Sequence, residues 1–301
     1  MVTPILHALL QQLLAPGVSR PLQAAALPDD ASFTTAALAL VVGACIGSFL
    51  NVCIARWPAQ LSVVSPPSRC PKCERRIRWY ENIPLVSWLA MRARCRGCAL
   101  PISIVYPAVE LAVGLGWLAA VLAYGPSLTA LRVAVLGTVL FGVAVTDAKH
   151  YLIPDGFTVF GLIWVAVTAI VALALQETGP FAGPYDALVG ACTGAGAIAI
   201  AGWLGEVATK KEAMGFGDVT LMAVVGGALG PGRALLTVFV GALIGAVAFL
   251  LVVFPVVWVR SRRAGVPFDA PQIPFGVFLA PAAMITLLWG YRAMAWYLSV
   301  I

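Results

Sequence analysis

Charged side chains are scarce in this sequence. Asp, Glu, Lys and Arg make up 11% of the 301 residues, and hydrophobic residues make up 61%. Soluble domains carry about a quarter charged residues, so the composition excludes a soluble globular protein. Uncharged runs such as Gly156 to Leu175 are long enough for an α-helix to cross about 30 Å of hydrocarbon. They lack the polar alternation of a barrel strand, which leaves a helical bundle.

Other features are also missing. The sequence has no evident internal repeat or low-complexity tract, and no glycine-rich strand-to-helix fingerprint of a nucleotide-binding unit. Its net charge of +6 is compatible with nucleic-acid binding. However, the basic residues fall in short loops between apolar runs, where the positive-inside rule explains them. We therefore expect the lipid bilayer, and not nucleic acid, as a partner.

Eight apolar segments predict an all-α polytopic membrane protein, a bundle of about eight transmembrane helices. The sixth segment is short because Pro231 and Gly232 break it, so it would span only if tilted, extended or in a thinned bilayer. Pro255 predicts a kink near the end of the seventh. The segments cover roughly residues 34–55, 102–124, 128–147, 156–175, 187–205, 218–230, 234–259 and 276–298.

The chain divides into four predicted parts. Residues 1–33 predict an N-terminal interfacial or periplasmic segment, because no basic region precedes their apolar stretch as a cleaved signal would require. Residues 34–55 predict a first transmembrane helix. Residues 56–101 predict a small polar insertion, and residues 102–301 a transmembrane domain.

Loop charges predict the orientation of the bundle. With the N-terminus outside, the alternating helices place all but four of the 19 Lys and Arg residues in the cytoplasm, which the positive-inside rule favours. The insertion and its cysteines then face the cytoplasm. The basic residues at or near the other face are Arg20, Arg132, Arg233 and Arg292.

Four cysteines in the insertion follow the spacing C-x2-C-x21-C-x2-C, at Cys70, Cys73, Cys95 and Cys98. Two C-x2-C turns present four thiolates to one tetrahedral ion, and a reducing cytoplasm leaves thiols free for metal. We predict a structural zinc site of the zinc-ribbon type, with a redox dithiol pair or an iron–sulfur site as alternatives. The other three cysteines are interpreted as small apolar residues in or beside membrane helices.

Two acids are predicted at matching depth, at the cytoplasmic ends of their helices. Asp147 ends the third segment and Asp218 begins the sixth. Two carboxylates brought together in a poorly solvated place share one proton, which is the chemistry of an aspartyl protease. The alternatives are that Asp218 is only a helix N-cap and that Asp147 pairs with Lys149 at the interface.

Further residues support the catalytic interpretation. Gly215 and Gly217, in GFGD, allow an extended peptide to approach the acid, although they also suit helix packing. Asp155, after Pro154, is expected to cap the fourth helix. Glu110 lies inside the second segment, where an ionisable group is a functional candidate; pairing with an arginine of the insertion is the alternative we favour.

The motifs resemble, in their order, those of the bacterial type IV prepilin peptidases. The match runs from about residue 43 to 281, through GSFLNVCIARWP, CPKC, YENIPLVSWL, CRGC, PISIVYPAVE, TDAKHYLIPD, MGFGD and PFGVFLA. The GxGD pattern is also similar to that of presenilin-type intramembrane proteases.

This resemblance implies a bifunctional enzyme of the bacterial inner membrane. It would remove the basic leader from prepilins or pseudopilins at the cytoplasmic face, just before their hydrophobic N-terminal helix, and N-methylate the new terminus with S-adenosylmethionine. It makes Asp147 and Asp218 the catalytic pair and the four cysteines the metal ligands. Acidic Glu74 or Glu81, or anionic lipid, would suit the basic leader. The sequence does not identify the pilins, the residues that bind S-adenosylmethionine or the oligomeric state.

Two positions depart from the family pattern. Many relatives have lysine where this chain has Thr220, which puts the pH range of activity in question. The family's PFGP run here ends in Val277, and we expect this change to alter a helix start without touching the carboxylates. Two other classes of protein compete: an inactive inner-membrane assembly protein, against which the intact acids argue, and a transporter, which would show midplane acids and broken, repeated helices.

Overall fold

The computed structural model describes residues 30–210, 214–265 and 273–300. The predicted interfacial segment falls almost entirely outside these residues. The described chain is helical, without a regular strand, and seven of its helices are long and apolar enough to cross a membrane. The prediction of an all-α polytopic membrane protein is confirmed.

The helices are numbered here in chain order. A π-helical turn, Phe249–Val253, connects the helix Pro231–Ala248 to the helix Phe254–Ala264. The chain is therefore irregular just before Pro255, where we expected a kink. The α-helices are α1 Asp30–Arg56, α2 Val86–Ala90, α3 Val105–Tyr124, α4 Leu128–His150, α5 Asp155–Ala174, α6 Pro184–Thr209, α7 Phe216–Leu229, α8 Pro231–Ala248, α9 Phe254–Ala264 and α10 Gly276–Val300.

The short helix α7 lies at the centre of the bundle. Its residues Leu221, Met222, Val224 and Val225 have no exposed surface. Packing against α5, α6, α8 and α10 buries it, so its 14 residues are a core element and need not match the thickness of the bilayer. It ends at Gly230, whose positive φ of 84° suits glycine.

Glycines bring the helices of two pairs close together. In α1, a Cβ added to Gly47 would lie 2.7 Å from the Cα of Glu110 in α3. In α6, a Cβ added to Gly190 would lie 2.1 Å from the carbonyl oxygen of Gly226 in α7. Backbones that approach this closely gain packing contacts in lipid, where apolar burial alone does not drive association.

The cysteine-bearing insertion lies between α1 and α3 and is mostly irregular. It contains α2 and the 3₁₀ turns Trp57–Ala59 and Trp79–Asn82. Trp57 packs edge to face on Phe157 at the start of α5, with ring centroids 4.5 Å apart. The insertion therefore begins at the end of the bundle where α4 ends and α5 starts.

Candidate active site and metal centre

Asp147 lies in the last turn of α4. The helix ends at His150, and its C-cap residue, Tyr151, adopts a left-handed conformation and donates its N–H to the Asp147 carbonyl. The chain then reverses through Ile153 and Pro154 into α5. The Asp147 side chain is buried, with 5% exposure, and Lys149 is exposed. No ion pair joins these two side chains, so the interfacial pair considered as an alternative does not form.

Asp218 lies in the first turn of α7. The N-cap of that helix is Gly215, so Asp218 is the third helical residue and not the cap. Its side chain is buried. The preceding residue, Gly217, packs against Ile153, which also packs against Gly276 beside Asp147. The two acids, far apart in sequence, therefore lie at the same end of the bundle.

The N-terminus of α10 completes this site. The backbone N–H of Val277 donates to Oδ2 of Asp147 at 3.2 Å, and Gly276 lies directly beside the same oxygen, since a Cβ added to it would be 2.8 Å away. Helix N-termini have N–H groups without intrahelical partners and favour negative charge. The expectation that Val277 does not touch the carboxylates is wrong, because its backbone reaches Asp147 even though its side chain does not.

Ile153 fills the space between the two acidic helices and α10. A Cβ on Gly217 would lie 2.8 Å from Cβ of Ile153, and a Cβ on Gly276 would lie 2.9 Å from its Cδ1 and 2.8 Å from Oδ2 of Asp147. Neither glycine can be replaced without moving its neighbours. Sequence reasoning assigned no role to Ile153 or Gly276, and the one signal that could have found them is their position in the TDAKHYLIPD and PFGVFLA motifs.

Gly215 differs from Gly217. A Cβ on Gly215 would have Oδ2 of Asp218 as its nearest side-chain atom, at 3.8 Å. The packing alternative therefore explains Gly217, while the backbone at Gly215 has space beside the acid.

Two neighbouring candidates stay outside the acid pair. Asp155 is the first residue of α5, after an N-cap at Pro154; its side chain is exposed and makes no capping hydrogen bond, so the expectation that it caps the helix is wrong. The hydroxyl of Thr220 donates to the carbonyl of Gly217 at 3.0 Å. No cation stands at position 220 beside Asp218.

The four cysteines of the insertion converge. All four Sγ atoms lie within 4.8 Å of one another, with 3.8 Å between Cys70 and Cys98 and 3.9 Å between Cys73 and Cys95. Tetrahedral coordination with metal–sulfur bonds of about 2.3 Å requires sulfur atoms roughly 3.8 Å apart. This cluster can hold a metal ion.

The two C-x2-C turns have the same backbone pattern. The N–H of Cys70 donates to the carbonyl of Arg75, and that of Cys95 to the carbonyl of Leu100. The N–H groups of Cys73 and Lys72 lower the pKa of the Cys70 thiol to about 6. A lowered thiol pKa favours the thiolate, which is the form that ligates metal.

Glu81 is fully hydrogen-bonded to other residues of the insertion. It accepts hydrogen bonds from Arg75, at 2.5 and 2.7 Å, and from the N–H of Arg78 at 3.1 Å, and Arg96 lies 3.8 Å away. The N–H of Arg78 first, and then Arg75, hold its pKa below the usual range against the effect of burial. Glu81 is therefore not available to a basic leader, whereas Glu74 is exposed.

Glu110 joins the insertion to the bundle. Its side chain is buried and its Oε2 accepts the N–H of Leu85 at 2.8 Å. The favoured arginine partner is wrong, because the donor is a backbone group. This contact fixes the turn before α2 on the start of α3.

Family comparisons agree with this architecture. Residues 41–124 match the bacterial peptidase A24 N-terminal domain, and residues 134–250 match the type IV leader peptidase family. No solved structure matches the chain.

Three relatives are named prepilin leader peptidase/N-methyltransferase. The chain is 43% identical to one from Myxococcus xanthus over 190 residues, which cover 63% of this chain and 54% of that protein. It is 37% identical to one from Stutzerimonas stutzeri over 286 residues, covering 87% and 93%. It is 34% identical to one from Pseudomonas aeruginosa over 285 residues, covering 86% and 92%.

We expect Glu110→Ala to loosen the insertion from the bundle. The substitution leaves the N–H of Leu85 without its acceptor, which costs about 1–3 kcal/mol for a buried group. Limited proteolysis of the purified protein should cut faster within residues 60–101. Glu110→Gln keeps an acceptor oxygen and should be cut more slowly than Glu110→Ala; equal rates would show that the hydrogen bond does not hold the insertion.

Proposed function

This chain belongs to the type IV leader peptidase family, and we propose on that premise that it removes the leader peptide from prepilins or pseudopilins and N-methylates the new N-terminus. One observation carries the peptidase assignment to particular residues: Asp147 and Asp218 are both buried at one end of the bundle, where Ile153 packs against Gly217, next to Asp218, and against Gly276, beside Asp147. S-adenosylmethionine is the methyl donor that the N-methyltransferase name of the relatives implies.

We assign different protonation states to the two acids. Asp147 receives an N–H group from α10, which stabilises a carboxylate, so it is the ionised member. Two buried carboxylates do not both ionise at modest cost, so Asp218 holds the shared proton. This difference gives the pair one base and one acid.

The reaction follows from these states. Asp147 takes a proton from a water molecule as the water oxygen attacks the carbonyl carbon of the scissile peptide bond. Asp218 donates its proton to the carbonyl oxygen, which stabilises the tetrahedral intermediate. When the intermediate collapses, Asp147 passes its proton to the leaving nitrogen and Asp218 recovers its own. The open side of Gly215 lets the substrate backbone approach Asp218.

We propose zinc as the ion of the cysteine cluster, with residues 56–101 as a metal-binding domain and residues 102–301 as the peptidase domain. Four thiolates at these separations match a closed tetrahedral zinc site. Such an ion would stabilise a domain that has few buried apolar residues of its own.

The protein is proposed to lie in the bacterial inner membrane with the cysteine domain and the acid pair facing the cytoplasm. The many Lys and Arg side chains between positions 56 and 101 support this orientation, because the positive-inside rule places basic segments in the cytoplasm. The cytoplasm is also a reducing compartment, which keeps the thiols free for metal. Exposed Glu74 and anionic lipid are the proposed contacts of the basic leader.

We expect Asp147→Asn and Asp218→Asn each to lower leader removal by more than about a thousandfold, because either change removes the shared proton chemistry. Cleavage would be followed by gel mobility after co-expression with a prepilin. Asp186→Asn is the matched control, since Asp186 holds the same first-turn position in α6 and is exposed. Full cleavage by either active-site variant would reject the pair.

The same co-expression experiment tests methyl transfer, because methylation raises the mass of the mature N-terminal peptide. An unmodified terminus after complete cleavage would limit the enzyme to proteolysis.

The hydrogen bond from Val277 gives a second prediction. Proline is tolerated in the first turn of a helix, so Val277→Pro should remove the N–H that reaches Asp147 without breaking α10. Losing a hydrogen bond to a charged group costs about 1.5–3 kcal/mol. The family pattern has proline at this position and so lacks the donor, which makes the contribution of the Val277 N–H specific to this chain. We expect kcat of Val277→Pro to be about tenfold below that of Val277→Ala, which keeps the N–H, with a smaller difference in KM. Equal kcat values would show that this donor does not support the base.

The cysteine cluster gives a third. Metal analysis of purified protein should find bound zinc in the wild type and a strong loss in Cys95→Ser, because three thiolates do not close the site. Cys192→Ser is the control, since Cys192 is a free cysteine outside the cluster. Wild-type protein without metal, or zinc retained by Cys95→Ser, would contradict the assignment.

A further inference from the structure

An apolar groove of about 400 Å³ opens on the side of the bundle between α3, α4 and α10. Helix α4 lines it from Val133 to Ala144, and α10 lines it from Val277 to Met284. Exposed residues such as Ala112 and Pro281 form part of its lining, so it is open to the surroundings of the bundle.

The groove offers an occupant apolar contacts and no free polar side chain. Its two polar side chains satisfy each other: the indole N–H of Trp117 donates to Oγ1 of Thr138 at 3.0 Å, and that hydroxyl donates to the carbonyl of Ala134 at 2.8 Å. A charged or strongly polar ligand would lose its hydration there without replacement. The chemistry favours an apolar partner.

The shape favours a helix. Small residues line all three walls, including Gly116 on α3, Gly137 on α4 and Ala280 on α10, and small residues let another helix backbone approach closely. The outer face of α5 is different, because Phe160, Ile163 and other large apolar side chains stand out from it. That face suits lipid chains, whereas the walls of the groove leave room for a rod.

The groove ends beside the acid pair. Val277, which lines the groove, is the residue whose N–H donates to Oδ2 of Asp147. Ala144 precedes Asp147 by less than one turn of α4. From Val133 to Ala144 the groove follows α4 for about 16 Å, at 1.5 Å per residue, which corresponds to three turns of a bound helix.

We infer that this groove binds the hydrophobic helix that follows the leader in a prepilin, with the N-terminal end of that helix beside Asp147. The inference rests on the proposed function and adds where the substrate lies. A substrate helix in the groove presents the peptide bond at its N-terminal end to the two acids. The leader then projects toward the cysteine domain.

Filling the groove tests the inference. A Cβ on Gly116 meets no atom within 4 Å, so Gly116→Leu should fold and occupy the groove. We expect it to raise KM at least fivefold for a full-length prepilin. Hydrolysis of a synthetic peptide that carries the leader and only the first few mature residues should be unchanged, because that peptide lacks the helix.

Gly196→Leu is the matched control. A Cβ on Gly196 of α6 also meets no atom within 4 Å, and α6 does not line the groove. Its KM for prepilin should stay at the wild-type value. Equal KM values for the two variants, or equal slowing of the short peptide and the prepilin by Gly116→Leu, would overturn the inference.

Crosslinking gives a readout that does not depend on cleavage. A photoreactive phenylalanine analogue at position 116 should form an adduct with the hydrophobic segment of a full-length prepilin, and the same probe at position 196 should not. Adducts with phospholipid alone at position 116 would overturn the inference. If wild-type protein leaves the prepilin uncut while the adduct forms, the proposed peptidase function fails and the binding site stands.

Discussion

The hydrogen bond from the Val277 N–H to Asp147 ties two distant parts of this chain together at the candidate active site. A buried carboxylate needs donors, and the first N–H groups of a helix need acceptors. Each group supplies what the other lacks. The contact joins the end of α4 to the start of α10, and the two bonded residues are 130 positions apart in the sequence. It also gives Asp147 a hydrogen-bond donor that Asp218 does not share.

Close packing holds the remaining parts of the site. Ile153, in the chain reversal after α4, lies against both Gly217 and Gly276. Its side chain therefore sets how closely the starts of α7 and α10 approach this reversal. Asp218 belongs to the helix that is most completely enclosed by the others. Rigid surroundings of this kind keep catalytic groups in place before substrate arrives.

The cysteine domain is built in the same way, from charges and thiols that satisfy one another. Its arginines surround Glu81, so the acid that looked available in the sequence is used internally. Glu110 then holds the turn before α2 against α3. Helices α3, α4 and α10 also form the groove, and therefore the domain, the acid pair and the proposed substrate site share the same supports.

Much of this protein was readable from the sequence, because hydropathy and spacing are local properties. The apolar runs predicted the helices, the C-x2-C pairs predicted that the four cysteines cluster, and the position of Asp147 and Asp218 at helix ends predicted that they lie at one face. The short length that the sequence gives α7 agrees with the structure, since this helix of 14 residues is not among the seven described helices long and apolar enough to cross a membrane.

Partners of individual groups could not be read from the sequence. The arginine expected for Glu110 is a backbone N–H at Leu85, the free acid expected at Glu81 is paired, and the backbone of Val277 reaches the carboxylate that its side chain seemed to leave alone. The sequence by itself determined the helices, their polarity and the chemical groups at their ends. Only the tertiary structure decided which groups meet, because long-range pairing depends on how helix surfaces pack, and a backbone N–H carries no signature in the residue type that bears it.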